Sequence, residues 1–247
     1  MRKIDYRERS NFYDLEVKKN KKIVNFIRRV SRDYNINSII NCPSASGIYL
    51  KEFFECFDNS IFIDIEKKMI DTVKQKIEEN KYTSIDTKIL DIKDLYKLNK
   101  KADCIIMLNQ GLQYVSLKDF KELLNKIDVR YIIIDLFDFN KKGKLSYFNS
   151  NKENKSFFTS KFKYNGKLIK RYNKFKKMNN KVIFEYEYFN NNTQIYSTKF
   201  ILYNYEFFEV NKIIKSSNYN LLKVFGDYNF KKFSKKSGHF ILVLRRW

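Results

Sequence analysis

Four short apolar runs, "SIIN", "SIFIDI", "CIIMLN" and "YIIIDLF", recur through the first 140 residues, with helix-patterned stretches between them. Runs that are apolar over nearly their whole length suit strands buried on both faces, and strands joined through helices run parallel. The first helix pattern lies between Leu15 and Tyr34, where Leu15, Ile23, Val24, Phe26, Ile27 and Val30 form a stripe among lysines and arginines. A second stripe, Met69, Ile70, Val73 and Ile77, follows "SIFIDI", the shorter run "SIDTKIL" supplies a third strand before "ADCIIMLN", and the helix-patterned "SLKDFKELLNKI" precedes "VRYIIIDLF". After Asn140 come long aromatic segments, "SKFKYNGKLIKRYNKF", "KVIFEYEYF" and "TQIYSTKFILY", broken by the turn sequences "NG", "MNN" and "NNN". Such segments build antiparallel hairpins. A helix over 206–216 and two strands, "YNLLKVFG" and "GHFILVLRR", close the chain. The expected fold is α/β, a doubly wound, Rossmann-like, mostly parallel sheet with an antiparallel β-hairpin insertion after the fifth strand. A single domain is expected over 1–247, with its core at about 15–140 and 204–247 and the insertion at about 145–203.

Composition narrows the function classes. No apolar run approaches the roughly 20 residues that span a bilayer, and "MRKIDYRERSNFYDL" lacks the apolar block of a signal peptide, so a cytoplasmic protein without membrane contact is expected. Cys42, Cys56 and Cys104 show no paired spacing, and the single histidine, His239, cannot complete a ligand set with them; no metal is expected. The formal charge of +22 would suit a polyanion such as RNA, yet only 10 of the 50 basic residues are arginine, the residue used for bidentate phosphate recognition. Abundant Lys, Asn, Ile, Tyr and Phe also follow from a genome rich in A and T codons. The charge is uneven, with 21 basic and 6 acidic side chains in residues 151–247, so any polyanion surface would lie there.

In doubly wound sheets a ligand lies beyond the carboxyl ends of the strands, where the strand order reverses. Those ends carry Asn41 to Gly47 after the first strand, Asp64 after the second, Asp91 after the third, and Asn109, Gln110 and Gly111 after the fourth. Asp64 stands about 20 residues beyond the first turn, the spacing at which a carboxylate accepts both hydroxyls of an adenosine ribose. Asp91 can accept from an adenine amino group. The turn "NCPSASG" is poor in glycine for a loop that approaches a ligand closely.

In this order the motifs resemble class I S-adenosylmethionine-dependent methyltransferases, and within them the bacterial small-molecule group that includes sugar-amine N-methyltransferases. "NFYDLEVKKNKKIVNFI" is similar to the family's leading helix, "FIDIEKKMI" to its ribose motif and "ILDIKDL" to its adenine-side motif. "ADCIIMLNQGLQYVSLKDFKELL" is similar to its fourth strand with the following loop and helix, and "LLKVFGDYNFKKFSKKSGHFILVLRR" to its last hairpin. "IINCPSASG" departs from the pattern, with Asn41 in place of an acid, Pro43 and Ala45 in place of glycines, and Gly47 kept. The resemblance implies S-adenosylmethionine as cofactor, held by Tyr13, Asn41, Pro43, Ser44, Gly47, Asp64, Ile65, Met69, Asp91, Ile92, Asn109 and Gly111. It also implies methyl transfer to a nitrogen or oxygen of a small molecule, by a monomer or homodimer.

Tyr6, Tyr114 and Tyr228, with Tyr13, are the candidate walls of an acceptor pocket, and no general base is assigned. Two rival readings stay open. The stretch from Lys161 to Lys181 holds nine basic residues and no acid, interleaved with Phe162, Tyr164, Tyr172 and Phe175, so it could follow an RNA strand or be a hairpin with one packed and one solvated face. The altered first turn would also suit an inactive methyltransferase fold serving as a scaffold.

Overall fold

The computed structural model describes residues 9–141, 153–234 and 236–247. In it the apolar runs form β1 (Ser38–Asn41), β2 (Asn59–Asp64), β4 (Cys104–Met107) and β5 (Tyr131–Phe137), and β3 (Ile85–Ile89) lies at the edge. With β10 (Tyr219–Phe225) and β11 (His239–Arg246) they make one sheet in the order β10-β11-β5-β4-β1-β2-β3. The first five strands are parallel, and β11 runs antiparallel to both neighbours. Strand order reverses between β1 and β4, which opens a crevice at their carboxyl ends. Both sheet faces are covered. Phe26 and Ile27 of α2 (Lys21–Tyr34), Phe53 of α3 (Leu50–Phe54) and Val73 of α4 (Lys67–Asn80) pack one side, while α5 (Leu117–Lys126) and α6 (Phe207–Lys215) pack the other through Phe120, Leu124, Val210 and Ile214.

The stripe from Leu15 to Tyr34 is two helices rather than one. The four-residue α1 (Tyr13–Glu16) ends before residues 17–20, and the Asn20 side chain accepts the Lys22 N–H to cap α2 afresh. Leu15 is accordingly exposed and outside the core.

After β5 a separate antiparallel sheet runs β6 (Phe157–Tyr164), β7 (Lys167–Met178), β8 (Lys181–Asn190) and β9 (Thr193–Tyr203) in sequence order. Asn165 and Gly166, both at positive φ, form its first hairpin turn, as the "NG" pair predicts. Its inner face presents Phe175, Phe184, Phe200 and Leu202 to Phe139 just beyond β5, with Tyr114 and Phe137 packed alongside. The small sheet is thereby fixed at the carboxyl end of the large one, beside the crevice.

The leading segment, a 3-10 turn (Arg9–Asn11) followed by α1, lies on that same inner face. Phe12 stacks on Phe162 at 5.3 Å and meets Tyr188 at 5.1 Å. Behind Phe12 the Glu16 carboxylate, with no exposed side-chain surface, accepts Arg9 Nε at 2.9 Å, Arg9 Nη2 at 3.0 Å and the Tyr188 hydroxyl at 3.0 Å, and it also pairs with Arg171 of β7. Burial by itself would raise the Glu16 pKa, but the two guanidiniums and the phenol hold it below the usual carboxylate range. A depressed acid contributes stability above its unfolded pKa and loses it as pH falls through the folded one. Glu16→Ala should therefore cost about 3–5 kcal/mol, since it strands buried guanidiniums. Hydrogen exchange at residues 9–16 and thermal melts should show this loss at neutral pH, and the wild type should approach the variant only below the ordinary glutamate range.

Candidate active site

The crevice floor is the turn after β1. Ser44 N–H donates to the Ile63 carbonyl at 2.8 Å, and Ala45 N–H donates to Asp64 Oδ2 at 2.8 Å. The other Asp64 oxygen accepts Glu66 N–H at 3.0 Å, so one carboxylate fixes both the turn and the start of α4. Ala45 sits at φ 48° and Gly47 at φ 70°. The left-handed conformation costs an alanine roughly 1–2 kcal/mol, which the charge-assisted bond to Asp64 offsets. At Gly47 an added Cβ would lie 3.0 Å from Val73 Cγ2. The proline in this turn finds its room elsewhere, because a Cβ on Gly111, in the loop after β4, would lie 2.3 Å from Pro43 Cδ.

Around this floor the sequence-predicted residues take distinct positions. Asn41 is buried to 5% exposure, yet its side chain makes no hydrogen bond to another described residue. Asp64 is buried, and burial pushes its pKa up despite the N–H groups of Glu66 and Ala45. Two of its roughly four acceptor positions are used, which leaves capacity for a diol. Ile65, immediately after it, is 60% exposed, an apolar shelf at the rim. Asp91 is half-buried and caps the 3-10 segment Ile92–Lys97 by accepting Lys93 N–H at 2.9 Å. Ser44 and Met69 are buried, and the Ile92 side chain lies in the core on the α5 side. Asn109, at φ 54°, reaches the Tyr49 hydroxyl.

Tyr13 from α1 comes close enough to Arg9, Tyr114 and Asp64 to feel their charges, and burial pushes its phenol well above the usual range. Arg9 lies over its ring at 4.9 Å, and Tyr114 packs against Phe200 of the small sheet at 6.0 Å. Asp14 bonds the Ser46 hydroxyl and Lys76, whose ammonium also donates to the Ser46 carbonyl at 2.8 Å; the leading segment is thus tied to the turn below it. Tyr228 lies at the far side, its ring 5.5 Å from Phe26 and its hydroxyl on Asp135. Tyr6 lies outside the described residues.

Sequence reasoning missed three groups. Asp135, buried in β5, accepts Gln110 N–H at 2.8 Å and so sets the loop after β4. Buried Gln113 exchanges hydrogen bonds with Phe137 and donates to the Tyr203 carbonyl at 2.9 Å, linking that loop to both sheets. Glu16 is the third. An acid within "YIIIDLF" was the one available signal, while Gln113 and Glu16 have partners too distant in sequence to foresee. His239 stacks on Phe137 at 4.3 Å, with Nε2 3.9 Å from Asp135. Two surface cavities lie elsewhere: one of about 380 Å³ between Lys101, Arg130 and Trp247, and one of about 310 Å³ between Arg28, Asn35 and Cys56.

Residues 39–129, which span the turn, Asp64, Asp91 and the loop after β4, match the family model described as a methyltransferase domain. Over those residues the chain is similar to a methyltransferase domain. Among solved structures, the domain with its small sheet resembles an S-adenosylmethionine-dependent methyltransferase from Clostridium acetobutylicum, at 17% identity and TM-score 0.78, covering 98% of this chain and 95% of that one. It also resembles the sugar N-methyltransferase KedS8 from Streptoalloteichus, at 14% identity and TM-score 0.68 over 98% and 91% of the two chains. The amino pentose methyltransferase CalS10 from Micromonospora echinaspora shows 9% identity and TM-score 0.69, with both chains covered fully. At these identities the likeness is one of fold. No curated protein sequence matches the chain.

The turn after β1 thus holds its shape with Gly47 as its one glycine and with room for Pro43 supplied by Gly111. If Gly111 is the room that Pro43 needs, Gly111→Ala should destabilise the domain by about 1–3 kcal/mol, and Pro43→Ala in the same chain should recover much of the loss. Denaturant melts of the two single variants and the double variant measure that coupling.

Proposed function

We propose that this domain transfers a methyl group from S-adenosylmethionine to a nitrogen of a small-molecule acceptor. One observation carries the reading. Asn41, almost fully buried, has no described partner, and it stands at the reversal of strand order beside a carboxylate with spare acceptor capacity and an exposed apolar shelf. These residues fit the cofactor that the fold implies. Asp64 would accept the ribose hydroxyls, Ile65 would lie against the adenine, Asp91 would accept its amino group, and the Asn41 carbonyl would accept from the methionine ammonium. Bound there, S-adenosylmethionine supplies an electrophilic methyl on a good leaving group.

The chain's own contribution is alignment and exclusion of water. Tyr13 and Tyr114 stand over the crevice, held by the leading segment and the small sheet, and Asp14 and Lys76 fasten that segment to the turn. The two phenols supply no base. Burial raises the pKa of Tyr13, and burial together with Asp135 raises that of Tyr228, so neither is a phenolate near neutral pH and neither can deprotonate an alcohol. A neutral amine requires no such base. The sugar N-methyltransferase likeness and the tyrosine-lined crevice favour a polar, amine-bearing small molecule.

Four outcomes are expected. Ile65→Ala should weaken S-adenosylhomocysteine binding by about 1 kcal/mol in calorimetry and leave the melting temperature unchanged, because the side chain is exposed. Asn41→Asp should tighten the same binding by placing a charge opposite the ammonium. With an amino sugar acceptor, turnover should rise with pH through the acceptor's own pKa. Cofactor affinity should fall on acidification, starting above the ordinary aspartate range, because the ionised Asp64 is the form that accepts and burial raises its pKa. Methylation of hydroxyl analogues at the rate of amines would contradict the assignment to nitrogen.

A further inference from the structure

Lys161, Lys163, Lys170, Lys174 and Lys176 of β6 and β7 face away from the crevice, whereas Lys177 lies on the inner face and donates to the Phe139 carbonyl at 3.1 Å. The registers place Phe158 opposite Tyr172, Lys161 opposite Lys170, and Lys163 opposite Leu168, all on the outer face of the small sheet. Arg171 alternates to the inner face, where it serves Glu16. Lys174 and Lys176 continue the outer row, and none of Lys161, Lys163, Lys170 or Lys176 forms an ion pair with a described residue. Neither β6 nor β7 contains an acid; the acids of this face, Glu185 opposite Lys174 and Glu187 opposite Tyr172, stand on β8 and are engaged by Lys199 and Ser156.

Two lysines directly opposed across a strand pair destabilise the sheet that carries them. A solvated face selected for stability alone would place an acid at one of the two positions, as the same sheet does where Lys199 meets Glu185 at 3.5 Å. Beside the opposed pair runs a row of rings across three strands, with Phe158 5.8 Å from Tyr172 and Tyr172 5.5 Å from Phe189. Phe158 is 52% exposed. Lysines attract phosphates without fixing their orientation, and exposed rings accept bases of any identity.

From these features we infer that the outer face of the β6–β7 hairpin binds single-stranded RNA, with Lys161, Lys163 and Lys170 against the phosphates and Phe158 and Tyr172 beneath the bases. The surface is separate from the crevice, since the inner face of the sheet is occupied by Phe139 and the leading segment. A strand held there would not present a base to Asn41 and Asp64. The inference is accordingly independent of the methyl acceptor, and it explains the basic hairpin without making RNA the substrate.

Lys161→Glu tests this with little risk of unfolding, because it turns a like-charge pair into an ion pair. The probe is a fluorescein-labelled oligouridylate of about twelve nucleotides, followed by anisotropy at physiological ionic strength. The variant should melt higher than the wild type yet bind the probe about tenfold more weakly, and Phe158→Ala should weaken the oligouridylate but leave heparin binding unchanged. Reversing Lys231 and Lys232, which lie on another part of the chain, should cost much less than reversing Lys161 alone. The inference fails if the wild type does not bind the probe, if the Lys231 and Lys232 reversal costs as much as Lys161→Glu, or if Phe158→Ala weakens heparin and RNA equally. It fails also if Lys161→Glu changes only self-association or binding to phosphatidylserine vesicles.

Discussion

The Asp64 carboxylate is where the architecture and the chemistry meet. One oxygen takes the Ala45 N–H from the turn after β1, the other takes the Glu66 N–H at the start of α4, and both bonds are made where strand order reverses. Without them Ala45 would have no compensation for its left-handed backbone, and the turn would have no fixed position relative to β2. The glycines missing from this turn are thus replaced by two long-range devices. Asp64 holds the backbone in a glycine-like conformation, and Gly111, after the neighbouring strand β4, has no side chain where Pro43 fits. A motif that looks eroded in sequence keeps its shape through residues outside it.

Above that floor the leading segment works as a strap fastened at two points. Its Asp14 end is tied to Ser46 and Lys76, and its Glu16 end is sunk into Arg9, Arg171 and Tyr188 on the small sheet. Tyr13, next to Asp14, lies near Tyr114 and Asp64 at the crevice. Releasing the segment would uncover both the Glu16 ion cluster and the buried Phe12 ring.

Much of this was legible in the sequence because it is local. Apolar runs gave the strands, the "NG" pair gave a hairpin turn, and the spacing from the first turn to Asp64 pointed to the end of β2. What escaped depends on partners far apart in the chain. Glu16 meets Arg171 and Tyr188, Gln113 meets Tyr203, and Gly111 meets Pro43, none of which has a periodic signature. The Leu15–Tyr34 stripe read as one helix because its apolar spacing continues through a break that Asn20 caps. The basic hairpin was evident as composition, but strand register decides which lysines share a face, and it separates Arg171 from its neighbours.

The central claim is that Asn41 and Asp64 together define a cofactor site on an altered turn. A crystal structure with S-adenosylhomocysteine tests it most directly. The account predicts both ribose hydroxyls on Asp64 and the amino group within hydrogen-bond distance of the Asn41 side chain. A nucleoside bound elsewhere, or one bound at Asp64 with Asn41 still without a partner, would contradict it.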